Sequence, residues 1–308
     1  MKIERIEPFD LEEGMKISDL ISQYERSVFG ALRLSKATKL YLEMLKERST
    51  IFLGLAGALV PAGFRKLISD LIEREMIHIL VSTGANLTHD LIEAFGGRHL
   101  KGISLSDEKL REKGIDRIYD AFLEDSSFEI LENNMRKILE DIHREKKKML
   151  TSEFLFEIGR RLKDKNSILR QAFLKRVPVF VPALSDSMLG LQTFLFSQEK
   201  EFFLDEIGDV GRILELSYKS KKTGALILGG GVPKNFILQT MLLAPKGFDY
   251  AIQITTDSPN AGGLSGATME EAISWGKLKP SSKFCTLYCD ATIAFPLMVA
   301  YVMEKFKR

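Results

Sequence analysis

TGALILGGGVPKNFILQTML, residues 223–242, reads as a buried strand that breaks at three glycines and resumes as a helix. The run Ala225 to Leu228 is apolar without alternation, as in a strand covered on both faces, and Pro233 suits the first turn of a helix. Glycine lets a backbone approach a phosphate closely, and a helix amino terminus offers unpaired N–H donors. Without the GxGxxG spacing, a tight strand-to-helix turn is the better explanation of this motif when it stands alone.

The pattern does not stand alone. Strand-length apolar runs that break at small residues and continue with helical spacing recur at 49–72, 76–95, 177–196, 249–266 and 284–303. Buried strands alternating with helices predict an α/β fold, a doubly wound, Rossmann-like parallel sheet with helices on both faces. In such sheets ligands lie beyond the carboxyl ends of the strands, where these small residues fall. The chain reads as a single domain over 1–308. It has an N-terminal helical segment at 1–48 and a helical excursion at 124–175, where Ser126 and Glu129 have capping-box spacing.

Composition narrows the function classes. Of 308 residues, 45% are hydrophobic and 28% charged, as in a folded globular protein. A net charge of +2 from 44 basic and 42 acidic residues gives no electrostatic case for nucleic acid, and the basic run in HREKKKML (143–150) reads as a solvated helix face. The opening MKIERIEPFD lacks a signal-peptide core and no stretch is apolar enough to span a membrane, so a cytoplasmic protein with no membrane partner is expected. Cys285 and Cys289 have no partners at zinc spacing; they read as buried free thiols, and no metal is expected.

GGLSGATMEEAISWGK, residues 262–277, carries the reactive candidates. A desolvated Lys277 amine could attack a carbonyl or imine carbon. Trp275 could wall off that amine or hold a cation on its ring, against the plainer alternative of core burial. Glu271 could bind an amine, although Thr268 and Glu271 also have capping-box spacing.

Taken in order, TIFLG, ILVSTGANLTHDLI, VPVFVPALSD, ALILGGGVPKNF, DYAIQI, SGATMEEAISWGK and YCDATIAFPL resemble the deoxyhypusine synthase family from about residue 50 to the carboxyl terminus. The resemblance implies an NAD-dependent enzyme that oxidises spermidine and carries the aminobutyl group as an imine on a lysine. That group then passes to a lysine of the hypusine-bearing translation factor precursor. It implies Lys277 as the nucleophile, with Glu271, Trp275, Asn235 and Gln239 facing the substrate. Thr83, Gly84, Asp186, Gly229, Gly230, Gly231, Thr256, Ser265, Gly266, Asp290 and Ala291 match positions that line the NAD pocket. It also implies a homotetramer.

The departures bear on the substrate. Asn235 and Phe236 stand where the family usually has histidines, and Gln239 replaces an asparagine. Leu191 and Leu264 replace carboxylates that hold the spermidine amines, and His89 replaces a glutamate near the cofactor ribose. These differences match a divergent prokaryotic branch. They keep open a polyamine-forming, homospermidine synthase-like relative with a free diamine as acceptor, and an inactive NAD-binding member. The α/β pattern alone would also allow a generic dehydrogenase.

Overall fold

A computed structural model describes residues 5–102, 105–244 and 246–306. In chain order the elements begin with α1 (Ile17–Tyr24), α2 (Phe29–Lys46), β1 (Thr50–Leu55), α3 (Arg65–Glu73), β2 (Ile79–Ser82) and α4 (Gly84–Ala94). They continue with β3 (Leu100–Lys101), α5 (Asp107–Glu112), β4 (Ile115–Ile118), β5 (Ala121–Glu124), α6 (Asp125–Glu145), β6 (Lys148–Leu150), α7 (Thr151–Arg161), α8 (Ile168–Lys175), β7 (Val179–Phe180) and α9 (Met188–Glu199). The last are β8 (Phe203–Asp205), α10 (Gly208–Lys219), β9 (Thr223–Leu228), α11 (Gly231–Thr240), β10 (Phe248–Thr255), α12 (Met269–Ser274), β11 (Leu278–Tyr288) and α13 (Ala291–Lys305). Among the described residues no helix is long and apolar enough to cross a membrane.

Contacts divide the chain into two compact units, Met1–Leu55 with Arg212–Arg308, and Ala56–Gly211. The first unit contains four parallel strands in the order β11-β10-β9-β1, with Phe52 opposite Ala225 and Ile252 between Leu226 and Cys285. Two glycines show how helices cover both faces. A β-carbon on Gly224 would meet the Met44 side chain of α2, and one on Gly54 would meet Ile237 of α11 and Ile227 of β9. Residues 224 and 227 point to opposite sides of β9, so α2 and α11 lie on opposite faces. The parallel, helix-covered architecture expected from the alternating pattern is present.

In the second unit β2 and β7 pair in parallel, with Leu80 opposite Val179. A small antiparallel sheet, β3-β5-β4, precedes α6. Its hairpin turns through Tyr119 and Asp120, with Tyr119 at φ 55°. This sheet moves the cap of the first excursion helix from the expected Ser126 to Glu124. The ladder pairs Ile115 with Glu124, and Asp125 N–H then donates to Gly114 O at 2.8 Å, so Glu124 becomes the N-cap of α6. Ser126 therefore lies inside the first turn and its hydroxyl faces Glu124 Oε2 at 3.5 Å instead of capping. The excursion is otherwise helical, except that β6 interrupts it within the basic run and pairs with β8. At the amino terminus, regular helix begins only at Ile17, and α2 packs against β10, β11 and α13 of its own unit.

His89, expected near a ribose, is committed to an internal chain of hydrogen bonds. Its Nδ1 lies 2.9 Å from His99 Nε2, and His99 Nδ1 lies 2.8 Å from Glu93 Oε1. Burial pushes His89 down to about 4, the His99 charge adds to the fall and Glu93 opposes it. A folded value below the unfolded one means that the unfolded chain binds more protons between about pH 6.5 and 4. Stability should therefore be intact above pH 6.5 and fall as the pH drops toward 4. The loss from this group should reach at most about 3 kcal/mol. Urea denaturation of wild type and His89→Gln across this range should show a shallower acid slope in the variant.

Candidate functional site

The glycine loop is built by close approach. Gly229 (φ 80°) and Gly231 (φ 57°) adopt left-handed conformations, and a β-carbon on Gly230 would lie 2.5 Å from Ser265 Cα. Ser265 belongs to the loop after β10, and its hydroxyl accepts from Gly231 N–H at 2.8 Å. The Gln253 side-chain amide of β10 donates to Gly229 O at 2.9 Å and to Ser265 O at 2.7 Å. These contacts bring Gly229, Gly230, Gly231 and Ser265 together in the first unit. Gly266 follows, packed so that a β-carbon would meet Ser258 O at 2.2 Å, while Thr256 is exposed just past β10.

Lys234 was not anticipated. Its side chain, on the first turns of α11, is only 1% exposed, and its ammonium donates to Leu264 O (3.1 Å), Ser265 O (3.3 Å) and Ala267 O (2.6 Å). Burial pushes the amine down to about 8; Glu271 opposes the fall, Lys277 adds to it and Asp257 opposes it. The charges of Glu271 and Lys277 thus reach the Lys234 ammonium. Asn235 and Gln239, four residues apart, share a different part of the α11 surface, Asn235 half-buried and Gln239 exposed.

The WGK sequence is a helix stop. Thr268 caps α12, its hydroxyl accepting from Glu271 N–H at 3.2 Å, as the capping spacing predicts. At the other end Gly276 N–H donates to Ile273 O and Lys277 N–H to Ala272 O, each at 2.9 Å, with Gly276 at φ 72°. This pattern is a Schellman motif, which requires a left-handed residue where Gly276 stands. It leaves Trp275 62% exposed, which excludes core burial, and sets the Lys277 ammonium 5.5 Å from the Trp275 ring centroid. Among the described residues no hydrogen bond reaches the Glu271 carboxylate. The main chain of Lys277 sits at the amino end of β10, where its carbonyl accepts from Phe248 N–H at 3.0 Å. The glycine loop lies past the carboxyl end of β9, and of Lys277 it is the side-chain charge that reaches toward Lys234 on α11.

Past β11, Asp290 caps α13: its Oδ1 accepts from Thr292 N–H at 2.7 Å and from Thr292 Oγ1 at 2.8 Å, and Ala291 opens the helix. In the second unit Thr83 caps α4, donates its hydroxyl to Gly57 O at 2.8 Å and accepts from Asn86 Nδ2 at 3.1 Å. A β-carbon on Gly84 would meet Ser187 Oγ at 2.4 Å, so the β2–α4 turn lies against the loop that carries the exposed Asp186. Leu191 and Leu264, each within its own unit, are 49% and 42% exposed.

An alanine at Gly230 should test the loop contact, because its methyl group would strike the Ser265 backbone, which cannot rotate away. Urea denaturation of Gly230→Ala should show a loss of about 1–3 kcal/mol.

Comparison with known proteins gives this geometry a family. The family model for deoxyhypusine synthase matches residues 19–302. "Probable deoxyhypusine synthase 1" of Archaeoglobus fulgidus is 44% identical over 302 residues, covering 98% of each chain. The protein of the same name from Methanosarcina acetivorans is 46% identical over 297 residues, 96% of this chain and 93% of its own. A crystal structure of a deoxyhypusine synthase candidate from Entamoeba histolytica superimposes with a TM-score of 0.70 over 98% of both chains; at 18% identity it speaks to the fold alone. The chain belongs to the deoxyhypusine synthase family.

Proposed function

We propose that the protein is an NAD-dependent aminobutyl transferase acting in the cytoplasm. Spermidine is the donor and a lysine of the hypusine-bearing translation factor precursor the acceptor. The observation that carries this reading is the exposed Trp275 with the Lys277 ammonium on its ring and, one helical turn before it, the Glu271 carboxylate, which among the described residues accepts no hydrogen bond.

The first unit fits a dinucleotide in its chemistry. Its helix amino terminus follows left-handed glycines, and the neighbouring Gln253 is buried with its Oε1 unpaired among the described residues. Gly229 to Gly231, Thr256, Ser265, Gly266, Asp290 and Ala291 would hold NAD there, and Thr83, Gly84 and Asp186 are the candidates in the second unit. When bound, NAD supplies a hydride acceptor for amine oxidation and returns the hydride at the end.

The rest falls to side chains. Glu271 pairs with an ammonium of the donor, with Asn235 and Gln239 as further polar contacts, and Trp275 offers its ring face to a cation. The Lys277 amine attacks the imine carbon of the oxidised donor, diaminopropane leaves, and the aminobutyl group stays as an imine on Lys277 until the acceptor amine displaces it. A second reading, in which a free diamine accepts the group, stays beside the first, because Leu191 and Leu264, each exposed in its own unit, stand where the resemblance implies spermidine-binding carboxylates. The retained Lys277, Trp275 and Glu271 argue against an inactive member.

Borohydride added during turnover with NAD and spermidine should trap an added mass on Lys277, read by mass spectrometry. Lys277→Arg should still bind NAD but show neither adduct nor transfer, since a guanidinium is not deprotonated in proteins. Full transfer by the variant would overturn the covalent route. Supplying the precursor protein and a free diamine in parallel separates the two acceptor readings.

The functional form is proposed to be a homotetramer. Helix α9 is apolar on two sides: Leu189 and Phe196 are buried with Thr193, while Met188, Leu191, Phe194 and Leu195 are exposed on the opposite side. Light scattering should give a multiple of the 34.8 kDa chain mass, and Leu195→Asp should lower it. A monomeric, active wild type would contradict the assembly.

A further inference from the structure

We propose that Lys234 is a positioning residue: its ammonium ties the loop after β10 to α11 and thereby fixes where α12 begins, and with it the Trp275–Lys277 pair. Three observations converge on it. First, the ammonium has three donors and three carbonyl acceptors, Leu264 O, Ser265 O and Ala267 O, so its hydrogen-bonding capacity is used up. Second, the shortest of these bonds, 2.6 Å, falls on Ala267, the residue directly before the Thr268 cap of α12. Third, the loop is held from its other side by the Ser265 hydroxyl on Gly231 N–H and by the Gln253 amide on Ser265 O. A loop fastened at both sides has one position, and the helix that grows from it inherits that position.

The same geometry separates the two lysines of the charge cluster. Lys234 is 1% exposed with every donor engaged, so it offers neither a free lone pair nor access to a carbon electrophile. Lys277 is half-buried and rests on an exposed ring. Lys234 acts on the chemistry only through the loop. Carbonyl oxygens accept from any well-placed cation, so the role demands a long amine and not a particular neighbour.

The catalytic half of this inference rests on Lys277 as the imine-forming lysine; the structural half does not, and the experiment has an arm for each. In wild type, amide exchange of Gly266 and Ala267, both donors to Gly263 O, should be as slow as that of β10. Exchange at the rate of an open loop while β10 stays protected would overturn the clamp without any variant. In Lys234→Met those two amides should exchange at least about tenfold faster. At saturating NAD and spermidine, the rate of adduct formation on Lys277 in the folded fraction should fall about a hundredfold, a kcat effect that exceeds any change in KM. A purely structural role would lower Tm and leave the rate per folded molecule unchanged, which would overturn the proposal. Adduct recovered on Lys234 would do the same. If wild type neither binds NAD nor forms adduct, the proposed function fails, while the exchange arm still decides the clamp.

Discussion

A buried ammonium is tolerable only when each of its donors meets an acceptor, and that requirement organises the first unit. Removing a charged amine from water costs several kcal/mol, whereas hydrogen bonds to a charged group return about 1.5–3 kcal/mol each. One bond would not suffice; three carbonyl oxygens around Lys234 make the arrangement sustainable. Three carbonyls from residues 264, 265 and 267 can converge on one point only if that loop is folded tightly over α11. The tight fold brings Ser265 against Gly230, and that contact forbids a side chain at 230. The glycine loop, the buried lysine and the serine are thus consequences of one packing constraint.

The reactive block follows from the same constraint. Thr268 caps α12 immediately after the clamped loop, and the helix is only 6 residues long, so an error at its start reaches its end undamped. Gly276 then reverses the chain and sends Lys277 into pairing with the start of β10. A left-handed residue between the tryptophan and the lysine places the two side chains on one side of the turn, which no regular helix does for positions two apart. The lysine stands behind the chain's sole tryptophan because the Schellman turn puts the ammonium over the ring.

The parallel sheet was legible because each buried strand ends in small residues and is followed by helical spacing, a pattern that survives without any knowledge of contacts. The β3-β5-β4 sheet was not: its hairpin turns on Tyr119 and Asp120, with none of the Asn-Gly or Asp-Gly signals that mark such turns, and β3 has only 2 residues. That hidden hairpin also defeated the Ser126 cap, since a ladder running to Glu124 starts the helix earlier than side-chain spacing suggests. In the site, Thr268 and the glycine loop announced themselves through conformational demands that few residues meet, whereas the role of Gly276 as a helix stop came only with the structure. Lys234 did not, because a lysine after Pro233 looks the same in sequence whether its amine meets water or three carbonyls. Gln253 left a fainter trace, an amide inside an otherwise apolar strand, where burial obliges it to find partners.

On the proposed reading, the leucine at 264 limits what the chemistry can ask of its substrate. Spermidine carries three charges, and each ammonium brought toward the protein loses hydration that a carboxylate must replace. Among the described residues Glu271 offers one carboxylate without a hydrogen bond, whereas the exposed Leu264 side chain of the same unit offers only apolar surface. Apolar surface discriminates by contact with methylene groups, at about 1–3 kcal/mol per methylene, and not by charge. On the proposed reading, this chain recognises one ammonium through Glu271 and the cation-binding face of Trp275. The hydrocarbon spacer, and not the number of charges, then decides which amine is held in register with Lys277.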